Sequence, residues 1–537
     1  DALTSGNSNV ALGYLALSAD TLGDRAVAIG LNALAAQNFT TSTDNYNVGV
    51  GYEAGSSITT GTNNTLIGGL AGDAFTDADY NVAIGFGALS ADTLGARSTA
   101  LGYNALGNQN FTTATQTHNV AVGFGAAGNI TTGTLNTIVG SLAGDALTTG
   151  GDNVAVGYSA LSAEDAHGLN VAVGAQALRV QNAGANAYNV GVGYNAGGAI
   201  TTGIFNTLIG GQAGDNLTDA DQNVAIGLNA LTQDTLGSFS VAVGTSALGT
   251  QNFTTATNTY NTAVGHSAGV SVTTGTFNSI FGGLAGDALT DADYNTALGY
   301  QSLTQDQLGS LSVAVGAFAL TAQRFTTATN SFNTAVGYVA GGAVTTGVHN
   351  TLIGGLAGDA ITTGTQNILI GYVATASAVD AANQTVIGAG VTSVGNGNFT
   401  FGSGTSDSNI ANGATTITAP SDERYKEDIT DSTAGLSFIN DLRPVTYKWK
   451  KEKDIPTTQK AYVEGSEKRV MNDRTNHGFI AQEVKAAIDN HPELKDGFDM
   501  WMEDEADGRQ RLGPSALIPV LVKAIQELTA RVAALES

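Results

Sequence analysis

Asn81-Val82-Ala83-Ile84-Gly85 returns along the chain with little change, and its period sets the architecture. NVALG begins at 9, NVAIG at 81, NVAVG at 153, NVAIG at 223, NTALG at 295 and a looser NILIG at 367, so successive starts lie 72, 72, 70, 72 and 72 residues apart. Such self-similarity marks a repeat architecture. Within each block, closing glycines subdivide the chain again: Gly13, Gly30, Gly51, Gly68 and Gly85 are 17, 21, 17 and 17 residues apart. Carried on to Gly371 and Gly388, the rhythm predicts 22 units, each of a size that suits one coil of a solenoid rather than a helix pair.

The residues inside a unit support a strand. Val27-Ala28-Ile29 and Thr65-Leu66-Ile67 alternate large apolar with small or polar residues and run into glycine. The glycine and the leading asparagine suit corners that need a positive φ or a close backbone approach. Proline is absent before Pro420, as a hydrogen-bonded ladder requires. So short a strand cannot bury its own apolar face, so the coils are expected to stack on one another and on neighbouring chains. At about 4.8 Å per coil, 22 coils predict a rod on the order of 100 Å long.

Composition changes abruptly near Pro420. All six prolines, both tryptophans and all three methionines lie at or beyond that position. Residues 1–420 hold four arginines, no lysine and 24 acidic residues, a net charge of −20, and the remaining 117 residues bring the total to −25. Nothing in such a chain neutralises phosphates, which excludes a nucleic-acid partner. The absence of cysteine excludes disulfides and thiolate chemistry. No apolar run is long enough for membrane insertion. A start at Asp1 rather than Met is expected of a fragment or a processed form.

Candidate chemistry in the array is sparse. Asp77-Ala78-Asp79, Asp219-Ala220-Asp221 and Asp291-Ala292-Asp293 could offer oxygens to calcium, yet the corresponding turns elsewhere read TTGGDN and TTGTQN. Solvated Asx turns are therefore expected there, with no cofactor and no metal site. His118, His167, His266 and His349 are scattered and read as single surface or interface histidines. Asn38-Phe39-Thr40-Thr41, Asn110-Phe111-Thr112-Thr113 and Asn252-Phe253-Thr254-Thr255 occupy the longer 21-residue step. Their phenylalanines are expected to pack on the adjacent coil, with glycan contact as the competing reading. Too many equivalent aspartates compete for any glycosidase pair to be assigned.

Beyond Gly413 the repeat dissolves. LRPVTYKWKK (442–451) alternates like a strand, NHGFIAQEVKAAI (476–488) has helical spacing, and together they predict a small α+β unit. Ile518, Leu521, Ile525, Leu528, Val532 and Leu535, in steps of 3 and 4, form a coiled-coil seam on a C-terminal helix at 516–537. Branching at the seam leans toward two strands, while Val522 and Ala524 widen it toward higher order; a helix packed on its own domain is the alternative.

Two resemblances follow from these motifs. NVALG, NVAIG, NVGVG and NTLIG over residues 9–390 are similar to the NxAxG β-roll of trimeric bacterial adhesin heads and to repeats of phage tail fibres, which implies a homotrimer. SDERYKEDI (421–429), LRPVTYKWK (442–450), GFIAQEV (478–484) and LIPVLVKAIQEL (517–528) resemble the peptidase S74 domain, the intramolecular chaperone that ends endosialidase tailspikes and many phage tail fibres. That resemblance implies trimerisation and templating of the fibre, then self-cleavage at Pro420–Ser421. By position it makes Ser421 the nucleophile, Lys426 its partner and His477 an assisting residue.

The expected organisation is thus an all-β repeat solenoid at 1–390, a trimeric β-roll or β-helix, then a β-rich neck at 391–420. A chaperone domain at 421–537 ends it in a coiled-coil helix. The expected function is a structural or receptor-binding fibre in a virion or at a cell surface, contacting a host glycan or receptor. Any enzymatic activity would be a single self-cleaving turnover. A cell-surface adhesin and a tailspike depolymerase are the alternatives. Ser421 capping a helix beside a solvated Lys426 is the competing reading of the junction.

Overall fold

The computed structural model describes residues 2–504 and 508–536. The chain divides into two compact units, Asp1–Pro420 and Ser421–Ser537.

The first unit is a parallel β-solenoid. Twenty-two three-residue strands, from Val10–Leu12 to Thr385–Ile387, pair in chain order with their centres aligned, as Val82↔Thr99, Ala83↔Ala100 and Ile84↔Leu101 show. A longer strand, Asn398–Ser403, adds a further rung on Thr385–Ile387, then folds back as an antiparallel hairpin with Ser406–Ala411. The parallel stack therefore runs into the neck segment. At about 4.8 Å per rung the unit is roughly 110 Å long.

In every three-residue strand after the first, the central residue faces inward and the two flanking residues face outward. Ala83, Ala100, Ala121 and Ala155 are fully buried, while Val82 and Ile84 on either side of Ala83 are half-buried. These alanines, with larger central residues such as Leu66, Ile138 and Val386 in other coils, form one core with leucines from the following turns, such as Leu34, Leu89, Leu106 and Leu161, also fully buried. Those leucines hold left-handed backbone, with φ of 49 to 52° across Leu34, Leu89, Leu106 and Leu161. The conformation costs about 1–2 kcal/mol per residue, but it turns each N–H along the solenoid axis, where Leu89 donates to Ala105 and Leu106 to Ala126, both at 3.1 Å. The glycine closing each strand is further constrained. Gly102 has φ 137°, and a Cβ there would collide with the Gly123 carbonyl of the next coil.

Asparagine fixes the other corner. Asn136 is fully buried; its Oδ1 accepts the Asn153 N–H at 3.0 Å and its Nδ2 donates to the Gly150 carbonyl at 2.9 Å. The same two bonds recur at most of the asparagines from Asn47 to Asn367, so a polar ladder satisfies buried backbone groups at this corner.

The 21-residue coils interrupt that ladder, and a buried carboxylate bridges the gap. Ser98 stands where an asparagine would, and Asp92 takes over. Its Oδ1 accepts from the Gly95 and Phe111 N–H groups at 3.1 Å, and its Oδ2 accepts from Gln109. Gln109 Oε1 in turn accepts from Asn119, where the ladder restarts. Asp20 with Gln37, Asp234 with Gln251 and Asp306 with Gln323 repeat the arrangement. Burial pushes the Asp92 and Asp306 carboxyls up, against the donors that hold them down. The spare residues form exposed loops whose Phe39, Phe111, Phe253 and Phe325 pack down on the coil.

The second unit is α+β. Helices α1 (Leu436–Asp441), α2 (Ala481–Asp489) and α3 (Leu517–Glu536) surround a core of Phe438, Val484, Ile488, Met500, Leu517 and Val520. Two antiparallel ladders complete it, Val445–Tyr447 with Asn476–Gly478 and Trp501–Glu503 with Gln510–Leu512. Helix α1 has no side-chain cap of its own; Glu527 of α3 supplies one, accepting the Leu436 N–H at 3.0 Å. His491 is buried between Asp441 (2.9 Å) and Glu493 (3.1 Å) with its ring edge-on to Phe438.

Candidate functional site at the unit junction

Ser421 is the first residue of the second unit. One short helical turn, Glu423–Tyr425, follows it and brings the chain back on itself. Asp422 caps that turn, accepting the Arg424 N–H at 2.9 Å and pairing with the Arg424 guanidinium, which holds its carboxyl below the ordinary value. The capping role considered for Ser421 therefore belongs to Asp422, and Ser421 keeps its hydroxyl for another partner. Lys426, at the end of the turn, donates from Nζ to Ser421 Oγ at 2.7 Å. Both residues are exposed, as is the whole segment from 411 to 421.

The third residue implied for this site is elsewhere. His477 lies on the strand Asn476–Gly478 opposite Thr446, and among the described residues no hydrogen bond joins it to Ser421 or Lys426. The geometry assembles two of the three.

Helix α3 presents two apolar faces. Leu517, Val520 and Ala524 are buried against the domain, while Ile518, Leu521, Ile525, Leu528, Val532 and Leu535 are exposed. Among the described residues, the heptad seam is thus left exposed. Ala524 faces its own domain core and does not widen the seam, contrary to its reading from spacing.

A comparable face runs along the solenoid. In one coil Tyr80, Val82, Ile84 and Phe86 all point outward, with Tyr80 and Phe86 more than half exposed. Neighbouring rings stack from coil to coil, as Phe86, Tyr103 and Phe124 do at 5.8 and 5.1 Å, and Phe239, Tyr260, Phe277 and Tyr294 at 5.2, 5.5 and 4.8 Å. The aspartates of the DADxN turns bond to the preceding coil. Asp77 accepts from Thr60, and Asp79 from the N–H and hydroxyl of Thr62, so their oxygens stitch one coil to the previous one. Among the described residues no helix is long and apolar enough to cross a membrane.

A long β-solenoid followed by a small domain whose last helix bears a free seam defines a fibre-like protein with its own assembly unit. Residues 421–492 match the family described as chaperone of endosialidase, peptidase S74, and constitute such a domain. The match ends before α3, so the block at 517–528 lies outside it. No curated protein and no solved structure matches the chain. A domain of this family implies a trimerisation-chaperone role for the solenoid that precedes it.

Proposed function

We propose that this chain is the shaft of a homotrimeric phage tail fibre whose C-terminal unit gathers three copies, sets their register and then releases itself by cutting Pro420–Ser421. The contact that carries the reading is the 2.7 Å hydrogen bond between Lys426 and Ser421 at the first residue of the chaperone domain. Coils of near-identical sequence pair out of register at small cost, and their unpaired edges invite aggregation, so an array of this kind benefits from a terminal template. Two unpartnered surfaces support assembly: the α3 seam and the outward apolar face of the coils. The latter returns from coil to coil, and an extended exposed apolar face of that kind marks an interaction surface. The exposed loops that return with the 21-residue coils would meet a host glycan or receptor in the virion.

The cleavage step uses this chain's own atoms. Lys426 accepts the Ser421 hydroxyl proton once its amine is neutral, a state that burial in an assembled trimer favours. Ser421 Oγ then bonds to the Pro420 carbonyl carbon, the Pro420–Ser421 C–N bond breaks, and the proton passes to the departing Ser421 nitrogen. Water hydrolyses the resulting ester, leaving a Pro420 carboxylate and a Ser421 with its hydroxyl restored and a free amine. Denaturing gels of wild type and Ser421→Ala test this: cleavage near residue 420 in the first only is expected. Two full-length products would remove the protease and leave the chaperone role standing. Light scattering on the Ser421→Ala protein should give three chains; a monomer would refute the assembly.

A further inference from the structure

We propose a divalent transition-metal site at Glu164, Asp165 and His167, in the one super-repeat that departs from the others. At four places the buried carboxylate opens an Asp-x-Leu-Gly turn: Asp20–Gly23, Asp92–Gly95, Asp234–Gly237 and Asp306–Gly309. The third super-repeat reads Glu164-Asp165-Ala166-His167 instead. In the other turns a Cβ on the glycine would collide with the aspartate carboxylate, so that position admits no side chain. The extra methylene of Glu164 and the loss of a ring make room for His167. The Phe325 ring crowds Gly309, whereas the residue two after the equivalent glutamine here is Ala183, not phenylalanine.

Filling the vacated volume accounts for a bulky residue at 167. It does not account for an imidazole, nor for an aspartate appearing at 165 at the same time. The contacts are those of ligands. One donor atom from each of Glu164, Asp165 and His167 lies within 4.8 Å of the others. His167 Nδ1 is buried and has no hydrogen-bond partner, and it stands 3.5 Å from Glu164 Oε1. Two ligands held about 2.0–2.1 Å from a tetrahedral ion are about 3.4 Å apart, so an ion between this nitrogen and oxygen needs almost no movement. Glu164 is fully buried and oriented by Gln181 at 3.1 Å through its other oxygen, as outer-sphere partners orient metal ligands. The Asp165 carbonyl is anchored by Thr148, while its side chain is exposed, leaving coordination positions open to water. One imidazole and two carboxylates suit zinc or a neighbouring first-row ion better than calcium.

The test is Zn²⁺ binding by the full chain after chelation, with His167→Phe as the variant that keeps the volume and removes the ligand. Wild type should retain about one Zn²⁺ per chain. His167→Phe should weaken binding by more than the roughly 10- to 100-fold that follows loss of an outer-sphere partner, with circular dichroism unchanged. Should that variant fail to fold, residues 164–167 rewritten as Asp-Thr-Leu-Gly, which folds at three other places in this chain, serve the same purpose. Equal binding by wild type and either variant, or no binding by wild type, overturns the proposal.

Discussion

Replacing Asn136 by alanine isolates the contribution of the polar ladder. The substitution removes the acceptor of the Asn153 N–H (3.0 Å) and the donor to the Gly150 carbonyl (2.9 Å), both buried. It leaves the Asn136 N–H bonded to Asn119. Each buried group left unsatisfied costs about 1–3 kcal/mol, so two orphans cost about 2–6 kcal/mol. No compensating Asp–Gln pair stands at this coil, unlike the coils where Ser98 replaces asparagine. In a stacked array each coil contacts only its neighbours, so the loss should stay local. Native-state hydrogen exchange at Asn153 and Val154 should accelerate about 30-fold to 10⁴-fold, at one decade per 1.36 kcal/mol, with amides beyond residue 224 unchanged. Acceleration under threefold would show that outward packing, not the ladder, holds the coil; a uniform effect along the chain would refute the local account.

Gly102→Ala should cost more than the 1–3 kcal/mol of an unfavourable backbone region, because the methyl also meets the Gly123 carbonyl; circular dichroism melts should show an early transition. Ile525→Asp with Leu528→Asp charges the exposed seam, so each domain should fold while light scattering falls from three chains to one. His491 is pushed up by Asp441 first and then by Glu493, against burial. Its folded value exceeds the ordinary 6.5, so its stabilisation is full below pH 6.5 and lost as pH rises through the raised value. Both tryptophans lie beyond Pro420, so their fluorescence reports the C-terminal unit alone: melts at pH 6 should exceed those at pH 8, and His491→Gln should abolish that difference.

Much of this was readable from order and period. The glycine steps gave 22 units, and 22 three-residue strands stack, because each step ends where only glycine fits the φ. The composition break at Pro420 coincides with the division into two units. The resemblance to the peptidase S74 domain implied a Ser421–Lys426 pair, and one helical turn brings the two into hydrogen-bond contact. Spacing misled where a side chain's direction mattered: Ala524 beside the seam turns inward, and His167, which looked solitary, gains two neighbours once Glu164 replaces the usual aspartate.

What the linear chain dictates here is local and periodic: strand length, coil count, the glycine corners and the place where the array stops. These follow from each residue's own backbone preferences and from alternation. The tertiary structure alone settles which residue of each strand goes inside, because that depends on which face of the strand the closed coil turns toward its core. Alanine takes that inward place in many coils and leucine, isoleucine or valine in others, as Leu66, Ile138 and Val386 show. It also settles how buried leucines accept left-handed backbone, how an aspartate and a glutamine 17 residues apart bridge a broken asparagine ladder, and how Glu527 caps a helix 91 residues earlier. Each of those is a contact between distant positions, whose distance only the stacked coils and the packed C-terminal domain define.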